Sequence, residues 1–237
     1  MQAMTVDPIP HFRGDAYLRI NARRLEHLAT LGLPIAGRSV LELGAGIGDL
    51  TSYFLDRGCR VTAVDGRAEN VEVMRRRFEG EDVEVVEADL NDPPTLSASY
   101  DVVFAYGVLY HLADPAAALA WMTKLAGEML VLSTCVTPNS SDGVNATTED
   151  PIWASQALDG RACRPDRRWV FERLGSLMPH AYTTLTQPAH EEFPLDWSAP
   201  IHSATGLSRA VFIGSRVSLD DRPLLTTELP LRHADRA

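Results

Sequence analysis

Val40-Leu41-Glu42-Leu43-Gly44-Ala45-Gly46-Ile47-Gly48 is the stretch on which the fold turns. An apolar run enters a turn with glycine at three alternate positions. Residues 49–56 then take up helical spacing, with Leu50, Tyr53 and Phe54 on one side. Glycines here permit backbone angles closed to other residues and leave bare main chain against which a ligand can lie. The dinucleotide fingerprint GxGxxG needs its third glycine one residue beyond Gly48 and aims a helix N-terminus at a pyrophosphate. Here the spacing is GxGxG, and Glu42 stands two residues before the first glycine.

Outward from that turn, strand-like and helix-like segments alternate. Residues 39–43, 60–64, 83–86, 100–105 and 129–134 read as short apolar strands, and 67–78 and 115–125 as helices. Pro115 suits a first helical turn. Near-continuous apolar strands separated by helices imply a parallel sheet covered on both faces. Residues 15–31 form an amphipathic helix ahead of this core. Residues 169–177 read as a helix, and 181–186 and 210–217 as further strands. Residues 136–168 are polar, punctuated by Pro138, Gly143, Pro151, Gly160 and Pro165, and too long for a plain connection. Such loops commonly serve as lids.

A chain of 237 residues fits one full-sized domain. The net charge of −10 argues against nucleic acid as a partner, because phosphate binding draws on a basic face. Cys59, Cys135 and Cys163 show no paired spacing and read as reduced thiols, which points to the cytoplasm. The N-terminal stretch lacks a signal-peptide pattern, and no apolar run has the length of a membrane span. The oligomeric state, monomer or homodimer, is left open.

The ExGxGxG turn resembles motif I of the class I S-adenosylmethionine-dependent methyltransferases. The second strand ends in Asp65, the position from which this family holds the ribose hydroxyls, with Gly66 and Arg67 following. Asp89 and Leu90 match the pair that flanks the adenine. Tyr106 to Leu112, GVLYHL preceded by tyrosine, is similar to the family's fourth motif and the loop after it. The RINARRL run at Arg19 to Leu25 resembles the helix before motif I in ubiquinone-type methyltransferases. There an arginine pairs with the cofactor carboxylate, which makes Arg19 the candidate. The resemblance covers residues 15–135.

It implies an α/β, Rossmann-like, seven-stranded, mostly parallel twisted sheet with helices on both faces. The single domain 1–237 divides into an N-terminal helical flap (1–35), a cofactor-binding core (36–135), a lid insertion (136–168) and a C-terminal part of the sheet (169–237) with an active-site loop at 187–205. The implied cofactor is S-adenosyl-L-methionine, leaving S-adenosyl-L-homocysteine. The expected cofactor-binding set is Tyr17, Arg19, Glu42, Gly44, Ala45, Gly46, Gly48, Asp65, Gly66, Arg67, Asp89, Leu90, Tyr106 and His111.

Methyl transfer needs alignment and exclusion of water, plus a base when the acceptor is protonated. His111 is the first candidate base; His190 and Glu191 compete with it. If strand 181–186 runs parallel to the others, the loop 187–205 overhangs the site. Tyr110, Arg161, Arg164, His190, Glu191, Glu192 and Trp197 are then the candidate substrate residues. No metal is expected. The acceptor is a small molecule, with an anionic one compatible with the arginines, and the modified atom is O or N of a sugar or natural-product intermediate. Three alternatives stay open: carboxymethyl transfer, internal alkylation by the sulfonium, and a non-catalytic S-adenosylmethionine-binding subunit. An NAD-dependent oxidoreductase is disfavoured by the glycine spacing.

Overall fold

Apolar strands that are buried on both faces must find neighbours in a covered sheet, and the strands expected from the sequence do so. The structure, a computed structural model, describes residues 7–96, 99–138, 143–199 and 203–234. Residues 1–6 of the expected flap, 97–98 of the core, 139–142 of the first expected lid, 200–202 of the second and 235–237 lie outside the described residues.

In chain order the elements are α1 (Ile9–Phe12), α2 (Asp15–Thr30), β1 (Ser39–Leu43), α3 (Thr51–Leu55), β2 (Arg60–Asp65), α4 (Ala68–Arg77), β3 (Val83–Glu87), β4 (Tyr100–Tyr106) and a 3-10 turn (Leu109–His111). They continue with α5 (Pro115–Leu125), β5 (Ala126–Cys135), β6 (Val144–Thr148), β7 (Arg161–Pro165), α6 (Arg167–Leu177), β8 (His180–Thr184), β9 (Arg209–Ser215) and β10 (Leu225–Thr226). The main sheet has the order β10-β8-β9-β5-β4-β1-β2-β3. β1 to β5 pair in parallel. β9 lies antiparallel to both β5 and β8, so β8 points the same way as the parallel set.

The expected seven strands are thus joined by an eighth. β10, two residues long, pairs antiparallel with β8. Residues 225–226 carry no strand periodicity of their own; the open edge of β8 recruits them. The stretch 136–168 is not a plain loop either. β6 and β7 pair as an antiparallel hairpin whose connection spans residues 149–160.

Two apolar layers cover the sheet. Ile20 and Leu28 of α2, Phe54 of α3 and Val71 and Met74 of α4 pack one face. Leu119 and Met122 of α5 and Val170 and Leu174 of α6 pack the other. α5 and α6 begin at Asp114 and Asp166, whose carboxylates accept hydrogen bonds from the first-turn amides. Such caps are each worth about 1 kcal/mol.

The chain reverses direction across the sheet between β1, flanked by β2, and β4. At such a switch point the carboxyl ends of the strands diverge and leave a crevice. The glycine turn sits there, with φ of +68°, +60° and +81° at Gly44, Gly46 and Gly48. A Cβ on Gly44 would stand 2.7 Å from Val108 Cβ, and one on Gly48 would stand 2.4 Å from the Phe78 ring. No helix among the described residues is long and apolar enough to cross a membrane.

Candidate active site

The crevice opens into a cavity of about 370 Å³. Its walls are the carboxyl ends of β1, β2, β3 and β4, the N-terminal helices α1 and α2, the β6–β7 connection and the loop after β8. It has two halves of different chemistry.

The first half is built on the glycine turn. Asp65 ends β2 buried, and its carboxylate organises the turn. Gly46 N–H donates to Oδ2 at 2.8 Å; Arg67 N–H and Asn70 Nδ2 donate to Oδ1 at 3.0 and 2.9 Å. Burial raises its pKa, opposed by those hydrogen bonds. Glu42 lies beneath the turn, where burial pushes it up to about 7 although Thr51 Oγ1 donates to it at 2.6 Å. Ala88, Leu90 and Leu158 provide apolar wall, and Asp89 stands exposed at the edge. The Gly66 backbone touches Leu158 so closely that a Cβ would sit 2.4 Å from Leu158 Cδ1. The β6–β7 connection is therefore seated directly on the end of β2. Arg67 holds it there by donating to the Gln156 carbonyl at 3.1 Å, and Asn70 by donating to that of Ala154 at 3.1 Å.

The second half is polar and deeper. Tyr106 and Tyr110 are buried at its base, and burial raises both phenols. His111 ends the 3-10 turn, and its Nδ1 hydrogen-bonds Glu149 Oε2 from the β6–β7 connection. Glu149 also accepts from Arg164 Nη2 at 2.8 Å and from Ala157 N–H at 2.9 Å. Burial would raise Glu149, but His111 and Arg164 hold it down at about 2. At His111 burial wins over the carboxylate and lowers the imidazole. The pair near neutral pH is thus a carboxylate and a neutral imidazole. Nδ1 carries the proton and Nε2 is left as an acceptor, the tautomer the hydrogen bond selects.

Several expected residues line this cavity: Tyr17, Arg19, Glu42, Gly44, Ala45, Gly46, Asp65, Gly66, Arg67, Asp89, Leu90, Tyr106, Tyr110, His111, Arg164, His190, Glu191 and Glu192. Others do not. Gly48 turns away and packs on Phe78. Arg161 is exposed and paired with Asp159. Trp197 is buried elsewhere, its Nε1 donating to His233 Nε2 at 2.8 Å and its ring 4.3 Å from the Arg167 guanidinium.

Four more change their part. Arg19 sits exposed at the rim, 3.6 Å from Glu191, so neither reaches the deep half. His190 Nδ1 accepts from Glu192 N–H at 3.3 Å, which leaves Nε2 as a donor rather than a base. Glu192 is tied to Arg209 at 2.5 Å and accepts from Thr205 Oγ1 at 2.9 Å. Among the described residues no cluster of metal-ligating side chains occurs.

The structure adds three residues that the linear reading passed over. Glu149 lies among polar loop residues with nothing to mark it. Arg24 is on α2, five residues beyond Arg19, on the face that turns inward; it is 5% exposed and packs beside Gly107. Arg209 opens β9 and reads in sequence only as the flank of an apolar strand. The amphipathic period of α2 was the one available signal, and it would have favoured Arg24 over Arg19.

Residues 41–126 match a family described as a methyltransferase domain. The ribosomal RNA small subunit methyltransferase A of Anaeromyxobacter sp. (strain K) is 38% identical over 103 residues, covering 38% of this chain and 36% of that protein. The ubiquinone biosynthesis O-methyltransferase of Erwinia tasmaniensis is 31% identical over 117 residues, covering 47% and 48%. The chain thus spans about a third to a half of the length of these relatives. Among solved structures, the N-terminal domain of EvdMO1, obtained in the presence of SAH and D-fucose, superposes with a TM-score of 0.64 at 22% identity, covering 83% of each chain. The Burkholderia thailandensis 1,6-didemethyltoxoflavin-N1-methyltransferase, with 1,6-didemethyltoxoflavin and S-adenosylhomocysteine bound, gives a TM-score of 0.56 at 21% identity, covering 92% of this chain and 94% of that one.

Proposed function

On a chain with a methyltransferase domain at residues 41–126 and the class I S-adenosylmethionine-dependent methyltransferase fold, we propose transfer of a methyl group to an O or N atom of a small metabolite, such as a sugar or natural-product intermediate. The observation that bears this reading is the two-part cavity: a glycine turn and buried carboxylate on one side, a neutral histidine on the other. Its walls fit S-adenosylmethionine. Asp65 keeps acceptor capacity for ribose hydroxyls beyond the donors it already serves, and Ala88, Leu90 and Leu158 offer an apolar slot for a base. Arg24, rather than Arg19, is the buried guanidinium beside Gly107 and the better partner for a carboxylate.

S-adenosylmethionine supplies an electrophilic methyl group when bound. The protein then has to hold the acceptor in line and keep water out. Neutral His111 takes the acceptor proton at Nε2, while Glu149 fixes the ring through Nδ1 and stabilises the imidazolium that results. Glu149 itself stays ionised because Arg164 neutralises it. The hairpin that brings Glu149 also roofs the adenosine half, so one element serves both halves of the cavity.

The net charge of −10 favours a small acceptor over RNA, although the relatives include ribosomal RNA methyltransferases. The domain division from the flap to the 187–205 loop belongs to this proposal, as does a cytoplasmic location. The test is calorimetric titration of the protein with S-adenosylmethionine, with NAD as control. Micromolar binding of the sulfonium without NAD binding is expected, and binding of NAD alone would overturn the reading.

A further inference from the structure

The deep half of the cavity holds more fixed positive charge than the residues around it use. Three guanidinium groups line it: Arg24, Arg164 and Arg209. Two buried carboxylates face them. Glu149 is shared between Arg164 and His111, and Glu192 is bound to Arg209 through Nε. Arg19 and Glu191 cancel one another at the rim.

Arg24, which has no carboxylate partner among the described residues, is the one assigned to the cofactor, and Arg209 is the paired group that keeps an unused donor. It is 7% exposed, and its Nη1 has no hydrogen-bond partner among the described residues. Buried donors rarely stay unfilled, because an unpaired donor forfeits its hydration without replacement. Its guanidinium carbon lies 4.9 Å from the centre of the Tyr110 ring, and that of Arg164 lies 5.1 Å from the same ring. The Tyr110 ring centre is in turn 3.9 Å from that of His111. An aromatic floor flanked by two cations thus adjoins the imidazole proposed as base.

We propose that the acceptor is a carboxylic acid, bound as its carboxylate by Arg209 above the Tyr110 ring, with the atom to be methylated directed at His111. The inference rests on the methyl-transfer reading for the role of His111, but the anion site itself does not. Arg209 offers a planar fork that matches a carboxylate, and Glu192 holds that fork in place from the opposite side. Arg164 and Arg209 are balanced by Glu149 and Glu192, and Arg24 is the partner assigned to the cofactor's own carboxylate, so the positive charge that an acceptor carboxylate offsets is that of the cationic sulfonium donor.

The test uses the full chain loaded with S-adenosylhomocysteine and titrated calorimetrically with benzoate, benzamide and inorganic phosphate. Benzoate is expected to bind in the millimolar range, benzamide at least tenfold more weakly and phosphate more weakly than benzoate. Arg209→Gln should lower benzoate affinity at least tenfold while its affinity for S-adenosylhomocysteine stays within about threefold of wild type. Equal binding of benzoate and benzamide, no benzoate binding up to 20 mM, tighter binding of phosphate, or undiminished benzoate binding by the variant would each overturn the proposal. If Arg209→Gln does not fold, the three wild-type titrations still decide. Failure of S-adenosylhomocysteine to bind is a separate result that counts against the methyl-transfer reading, and the same titrations on the free protein then judge the anion site alone.

Discussion

At the scale of single residues, the site is a matter of which oxygen and nitrogen atoms are already spoken for. Asp65 accepts three hydrogen bonds from its own chain and shapes the glycine turn before any ligand arrives. Asp65→Ala should therefore weaken S-adenosylmethionine binding by about 2–4 kcal/mol, measured by calorimetry, since ribose contacts and the turn's support are lost together. Unchanged affinity would remove Asp65 from the ribose. Glu149→Gln addresses the base. The carboxylate raises the His111 pKa against burial, so the amide should lower it further and move the acid limb of the kcat profile to lower pH. Loss of the partner that orients the ring and stabilises the imidazolium should reduce kcat about tenfold or more with little change in KM. Asp65 and His111 could be found in the sequence because each sits at a fixed offset from an apolar strand. Arg209 and Glu149 could not, because they approach His111 across separations that only the folded sheet and hairpin create.

At the scale of elements, the β6–β7 hairpin is the piece that alternating patterns did not disclose. Its strands are short and polar on one side, and its Pro and Gly residues read as loop punctuation. Its seat on the end of β2 depends on the bare Gly66 backbone. Gly66→Val would drive two methyl groups into the space of Leu158, and the hairpin would have to lift. Limited proteolysis should then cut within residues 150–160 faster than in the wild type, with an S-adenosylmethionine affinity at least tenfold lower. Retained protection would show that the hairpin seats without this contact. α5, by contrast, begins where Pro115 and the Asp114 cap announce it, because capping is a local property. β1 to β5 are near-continuous apolar runs whose burial on both faces shows in composition alone, whereas β10 exists only because β8 offers an edge.

For the whole molecule, acid is the perturbation to watch. His27 and His233 lie buried on either side of the loop after β8. His27 Nε2 hydrogen-bonds the Thr186 carbonyl at 3.1 Å, and His233 Nδ1 that of Thr184 at 2.9 Å. Burial lowers each to about 4. In the unfolded chain both titrate near 6.5. Between these values the unfolded state binds more protons, so stability is full above about pH 6.5 and falls as pH drops towards 4. Each histidine should cost on the order of 2 kcal/mol by pH 5. The thermal midpoint should then fall roughly 5–15 °C between pH 7.5 and 5. His233→Gln should remove about half of that fall, as followed by circular dichroism; an unchanged slope would place the acid sensitivity elsewhere.

The position of β9 has a consequence for the order in which the molecule assembles. β9 lies between β5 and β8, yet residues 136–208 separate its pairing partners Cys135 and Arg209 along the chain. Of the pairings among β1 to β5 only β1 with β4 is distant in sequence (Val40 opposite Val102), so the sheet that displays the glycine turn needs a single long closure. Insertion of β9 needs a second, and non-local strand pairing of this kind is slow. The nascent chain would therefore shape its donor pocket first and acquire its cationic floor last. A folding intermediate arrested at that stage would carry the glycine turn without Arg209 beside the Tyr110 ring.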